Sequence, residues 1–166
     1  MISETLIYFG YNSMFSHKRG VENVIDFQSK SSPFKTNYYL HWDSKNKVSR
    51  YNNLICVGVK KNIFWWFTLN LLVYKIKKKK KNVFIHSHNP LMSLISLFNT
   101  NLFTVHDALY YNSNVKKHKL KFIFWFLEIL LYKRTNFLHF ISNFALQKSL
   151  FNANKSFCII PNTSHY

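Results

Sequence analysis

Short apolar runs alternate along this chain with longer stretches of helical spacing, and several of the runs stop abruptly in polar residues. Leu6 to Phe9 is the first run, closed by Gly10. A polar loop leads to Arg19-Gly20, after which Val21, Val24 and Ile25 mark one face of a helix. Glu22 stands in its first turn, where the helix dipole favours an acid. Ser31-Ser32-Pro33 breaks that helix. Asn37 to Trp42 and Leu54 to Val59 read as strands joined by a charged loop, and Ile63 to Ile76 as a helix running into Lys77 to Lys81. The sharpest pattern lies between Asn82 and Asp107. Val83, Phe84 and Ile85 stop in His86-Ser87-His88-Asn89, Pro90 sits where a first helical turn begins, and Leu91 to Phe98 form a short apolar helix. Leu102 to Val105 then stops in His106-Asp107. Beyond it the pattern predicts a polar loop over 110–119 and a helix from Lys121 to Arg134, apolar nearly all round except at Glu128. A strand from Phe137 to Ile141 with Ser142-Asn143 at its tip, a helix from Phe144 to Phe151 and a strand from Phe157 to Ile160 complete the chain.

Strands alternating with helices predict an α/β fold, a Rossmann-like doubly wound parallel sheet forming one domain over 1–162. Open parallel sheets bind ligands beyond the carboxyl ends of their strands. The tips His86/His88, His106/Asp107 and Ser142/Asn143 are therefore expected to share one edge with Phe9 and to hold the site. Gly20 opens a helix after a strand and loop, an arrangement whose free N–H groups suit an anion, although a glycine there also simply turns the chain.

Length and composition narrow the classes. A chain of 166 residues is one domain with room for a core, and 48% hydrophobic and 19% aromatic content excludes a disordered chain. The formal charge of +17 comes with few Gly and Pro and an excess of Lys, Asn and Phe, a bias that gene base composition also produces, so charge alone names no partner. The first residues run straight into a strand without the features of a secretory signal, and no apolar run reaches the ~20 residues of a membrane-spanning helix. Cys56 and Cys158 sit in β-like runs as buried free thiols, which fits a reducing compartment. The expectation is a cytoplasmic protein, or one peripheral on the inner face of the cytoplasmic membrane.

The candidate chemistry is narrow. His86, His88, His106 and Asp107 are ligand types for zinc but lack the close repeated spacing of a metal site, so no metal is expected. There is no Gly-x-Ser-x-Gly elbow and no Gly-x-Gly-x-x-Gly fingerprint, so neither a hydrolase triad nor a nicotinamide cofactor is expected. With six carboxylates in all, paired acid/base work is out of reach. His106 beside Asp107 offers donor and acceptor to substrate hydroxyls, or else caps a loop. The aromatics gather in apolar helices rather than interleaving with the basic residues, which argues against nucleic acid.

Arg19-Gly20-Val21-Glu22, Ile85-His86-Ser87-His88, Thr104-Val105-His106-Asp107, and Phe140-Ile141-Ser142-Asn143 followed by Ile159-Ile160-Pro161-Asn162 occur in the order found in the amino-terminal half of a family-4 retaining glycosyltransferase of the GT-B fold. The chain resembles that half over almost its whole length. The resemblance implies an acceptor-side domain in which Arg19, Gly20, Glu22, His86, His88, Ser142 and Asn143 bind substrate, with His106 and Asp107 as catalytic groups. It implies a nucleotide-sugar donor, a glycan or lipid-linked acceptor, and cell-surface polysaccharide or glycolipid synthesis. The sequence departs from the pattern at Arg19, where a second glycine is usual, and at Thr163, where Gly is usual. The glutamate pair of the donor-binding domain cannot be formed from Glu4, Glu22 and Glu128. Residues 163–166 are expected to begin an interdomain hinge and the chain to be inactive alone, with a separate chain as one source of the second domain and the sequence leaving that source open. A non-catalytic basic module that binds an anionic membrane surface is the alternative, resting on the lysines beside the helix of Trp65 and Trp66.

Overall fold

A five-residue strand buried at every position needs cover on both faces, and that requirement organises the fold around β1 (Thr5–Phe9). The computed structural model describes residues 5–15, 20–115, 117–151 and 155–161. Around β1 lie β2 (Thr36–Asp43), β3 (Lys47–Tyr51), β4 (Leu54–Lys60), β5 (Val83–Ser87), β6 (Thr100–Val105), β7 (Thr135–Phe140) and β8 (Phe157–Ile159), in the order β3-β4-β2-β1-β5-β6-β7-β8. Every neighbouring pair is parallel except β3 with β4. The chain first moves from β1 outward to β2 and β4, then returns to β5 on the other side of β1. The strand order therefore reverses between β1 and β5, where such sheets open a crevice. This is the Rossmann-like α/β sheet that the alternating pattern predicts.

Right-handed crossovers put connections that travel in opposite directions on opposite faces. α1 (Gly20–Lys30) packs Ile25 against Leu6, Tyr8 and Cys56 on one face. On the other, α2 (Trp65–Lys79) packs Leu69, Val73 and Ile76 on Ile7, Phe9 and Leu40. α3 (Pro90–Ile95), α5 (Lys121–Arg134) and α6 (Asn143–Lys148) follow on that same face, with Met92, Leu131 and Ala145 buried beneath them. α3 sits between α2 and α5. Arg134 ties α5 to it, donating to the carbonyls of Leu94 (2.8 Å) and Ser96.

Two stretches differ from the sequence expectation. The charged loop after β2 contains an edge strand: β3 and β4 form a hairpin whose two-residue turn is Asn52-Asn53, with Asn52 at φ 51°. Asparagine tolerates that left-handed backbone, and the turn docks on α1 through Asn52 to Asp26 and Asn53 to the Ser29 carbonyl. The polar stretch over 110–119 is also not a plain loop, because α4 (Leu109–Val115) fills its first part. Cys56 is buried, whereas Cys158 is only half-buried on β8. Among the described residues, no helix is long and apolar enough to cross a membrane.

Candidate functional site

The crevice between β1 and β5 is stitched from both sides. The His88 amide donates to the Phe9 carbonyl at 2.9 Å, and the Asn89 side-chain amide donates to the Gly10 carbonyl at 2.9 Å. The Asn89 side-chain oxygen also accepts from the amides of Leu91 (3.0 Å) and Met92 (3.1 Å), capping α3. One asparagine thus fixes two strand tips and a helix start. Gly10 is demanded by packing: a Cβ there would lie 2.3 Å from the hydroxyl oxygen of Tyr39, whose O–H donates to the Asn12 carbonyl. Gly20 differs. It is exposed, and a Cβ would meet nothing within 4 Å.

His86 and His88 are two apart on an extended strand and so share a face, with ring centroids 4.4 Å apart. That face belongs to a chain of buried groups. His139 Nε2 lies 2.9 Å from the Ile160 carbonyl, Thr104 Oγ1 lies 3.1 Å from His139 Nδ1, and His86 Nε2 lies 2.8 Å from the same Thr104 oxygen. In the neutral network the order follows from the acceptor-only carbonyl. His139 Nε2–H donates to it, Thr104 O–H donates to His139 Nδ1, and His86 Nε2–H donates to Thr104. Separately, His88 Nδ1 and His106 Nε2 share one proton across 2.9 Å, which joins the tips of β5 and β6. His88 is 1% exposed, yet its Nε2 is buried with no hydrogen-bond partner.

Burial favours the uncharged form of His86, His88 and His106. Desolvation, reinforced by His139 and His106, pushes His86 down to about 3. Desolvation also drives His88 well below the ordinary imidazole value, with His86 and His106 adding to it. His106 is pushed down to about 4 by desolvation, against the opposing pull of the Asp107 carboxylate. Tyr11 is pushed up to about 12 by burial and by the charges of Asp107 and Glu22. A cavity of about 170 Å³ opens beside this group, with His88, His106, Asp107, Tyr11 and Asn112 in its lining. A neutral, pre-positioned imidazole pair with a carboxylate at its rim is suited to hydrogen-bonding a polyhydroxylated ligand. Among the described residues, no three His, Cys, Asp or Glu side chains converge to hold a metal.

The other predicted site residues are distributed unevenly. Ser142 caps α6, its Oγ accepting from the Ala145 amide at 3.0 Å, and Asn143 beside it is exposed at the same sheet edge. Glu22 is fully buried and accepts from the Asn12 amide at 3.0 Å, so it holds the loop after β1. His86 likewise lies beneath His88, inside the network. Arg19, Asn162 and residues 163–166 fall outside the described residues. Thr104, His139, Tyr11 and Asn89 join this region in the structure, although the sequence pattern does not mark them as site residues. Glu128 stands out in the sequence as the acid of an otherwise apolar helix, and the structure supplies its reason. It is a buried anchor, accepting from the Tyr110 amide (2.7 Å), the Leu150 amide (2.8 Å) and the Tyr132 hydroxyl (3.0 Å). It thereby fixes the start of α4 and the segment after α6 beneath the cavity.

No family model and no curated protein matches the chain. Among solved structures, the chain is similar to an α,α-trehalose-6-phosphate synthase from Burkholderia multivorans, with 7% identity and a TM-score of 0.49. The match covers 89% of this chain and 41% of that one, so the chain spans less than half the length of the protein it matches. A likeness of this size leaves the functional reading to the site itself.

Proposed function

We propose that this chain is the acceptor-side domain of a GT-B glycosyltransferase. On this reading it binds a glycan or lipid-linked acceptor at the edge where His88 meets His106, while a second Rossmann-like domain, on this chain or a separate one, holds the nucleotide-sugar donor. The observation that carries the reading is the unpaired, buried Nε2 of His88 at the carboxyl edge of the sheet. A buried polar atom without a partner costs roughly 1–3 kcal/mol, and a ligand hydroxyl that reaches it recovers the loss. Asp107 is exposed at the cavity rim, where its carboxylate accepts from a second hydroxyl. The motif residues His88, His106, Asp107, Ser142 and Asn143 follow the ends of β5, β6 and β7, which supports the same reading.

In this role the neutral His106 orients the acceptor or the transferred sugar through a hydrogen bond, and Asp107 fixes the acceptor hydroxyl that attacks. The amides at the start of α1, near Gly20, would face the donor phosphates together with Arg19. Cytoplasmic placement and a part in polysaccharide or glycolipid synthesis belong to the same proposal.

The test is transfer of labelled sugar from a panel of nucleotide sugars to glycan and lipid acceptors, with the chain assayed alone and together with a donor-binding domain. Transfer is expected only in the combined sample, and His106→Ala is expected to lower it by about one to two orders of magnitude with the circular dichroism unchanged. Robust transfer by the 166-residue chain alone would overturn the two-domain reading, and full activity of His106→Ala would remove that ring from the site.

A further inference from the structure

α2 is apolar on two sides, and the core explains only one of them. Leu69, Val73 and Ile76 face the sheet, whereas Phe64, Trp66 and Phe67 at its start point to solvent. α5 repeats the design: Leu131 and Tyr132 are buried, while Phe122, Trp125 and Phe126, at i, i+3 and i+4, stand exposed on one outer stripe. With Leu91 of the intervening α3, these side chains are between 42% and 73% exposed. Soluble monomers rarely leave so many large apolar groups together on one side.

Their position and charge say what covers them. α5 runs directly into the first residue of β7, and α2 ends shortly before β5, so both helices finish at the amino edge of the sheet and begin at its carboxyl edge. The exposed aromatics lie at or within the first two turns of these helices, toward the same edge as His88 and His106. Lysines rim the face at both ends: Lys61, Lys117 and Lys119 beside the helix starts, and Lys77 to Lys79 and Lys81 at the far end of α2. α2 carries no acid, and the single acid of α5, Glu128, is buried.

We infer that the outer face of α2, α3 and α5 docks on an anionic lipid bilayer, its aromatics entering the interface and its lysines meeting the headgroups, so that the acceptor reaching His106 is lipid-linked. The last clause rests on the sugar-transfer reading of the site; the docking does not. Tryptophan and phenylalanine above a lysine rim suit the headgroup boundary, and each lysine near an anionic surface adds roughly 1 kcal/mol. A second copy of a chain with charge +17 would bring like charges together on this face.

The test is flotation of the full chain with phosphatidylcholine vesicles, with and without phosphatidylglycerol, while following tryptophan emission. Binding to the phosphatidylglycerol vesicles is expected, with a blue shift that shrinks in Trp66→Phe and Trp125→Phe. Phe67→Ser/Phe126→Ser is expected to weaken binding at least about tenfold without change in circular dichroism. Equal binding by that variant, no blue shift, or concentration-dependent dimers that ignore vesicles would overturn the docking. Transfer to water-soluble acceptors with no preference for lipid-linked ones would overturn the lipid-linked acceptor and leave the sugar-transfer reading standing. Vesicle binding by a chain that transfers no sugar in any combination would leave the face and remove the acceptor.

Discussion

Two glycines with opposite surroundings make a contrast that can be measured. Gly10→Ala drives a Cβ into the Tyr39 ring, and the cost is expected at about 1–3 kcal/mol in urea denaturation. Gly20→Ala meets open space at a helix start, so stability is expected to hold or rise by a few tenths of a kcal/mol. Loss of transfer activity in that stable variant would mean that the glycine serves close approach of a ligand. The histidines supply a second prediction. His86, His88 and His106 all have folded pKa values below that of a free imidazole. Below pH ~6.5 the unfolded chain therefore takes up protons that the folded chain refuses. Their contribution is fully present above that pH and falls away as the pH drops toward 4, at roughly 1.4 kcal/mol per pH unit for each ring. Urea midpoints at pH 7, 6 and 5 should fall steeply, and less steeply in His86→Gln; identical midpoints would contradict the burial argument. The motif histidines were legible because a strand tip followed by polar residues is a local pattern. Thr104 and His139 were not, because they meet only through the β6–β7 register, which pairs them directly.

At the scale of elements, the sequence predicted α5 from Lys121 to Arg134 as it is found, because fourteen residues without a breaker leave the pattern little freedom. It missed β3, since Lys47, Val48 and Arg50 are exposed and carry no buried stripe to announce a strand. The Asn52-Asn53 turn was the available signal. It missed α4 because Tyr110 to Asn114 are polar and weak helix formers, and the helix is held by Glu128 from α5 instead. Glu128→Ala should therefore act across elements, stranding the Tyr110 and Leu150 amides and the Tyr132 hydroxyl at about 3 kcal/mol. Hydrogen exchange would report it, with faster exchange at Tyr110 and Leu150 and little change in β1; uniform exchange across the domain would contradict that local role.

The whole molecule carries far more positive than negative charge on a modest surface, so its compact state repels itself. The melting temperature is expected to rise from low to physiological salt as screening shortens the reach of that repulsion to ~8 Å. A falling midpoint would mean that specific ion pairs outweigh the net charge; the pair of Lys30 with Asp26, whose lysine is exposed, is too weak to do so. Fold class was legible at this scale because alternation of strand and helix survives any error at element ends. The expected place of the candidate site came from the polar strand tips, and the observed strand order reverses beside the first of them, at β5.

The hydrogen bond from His139 to the Ile160 carbonyl has a consequence far from β8. An imidazole that donates from one nitrogen must accept at the other, so that carbonyl dictates the sense of every hydrogen along His139, Thr104 and His86. Turning the peptide at Ile160 away would free His139 to exchange its tautomer and let the whole row reverse, with no displacement of a strand. The ¹⁵N resonances of His86 would then act as a gauge, read deep in the sheet, of how the backbone is set at its last strand.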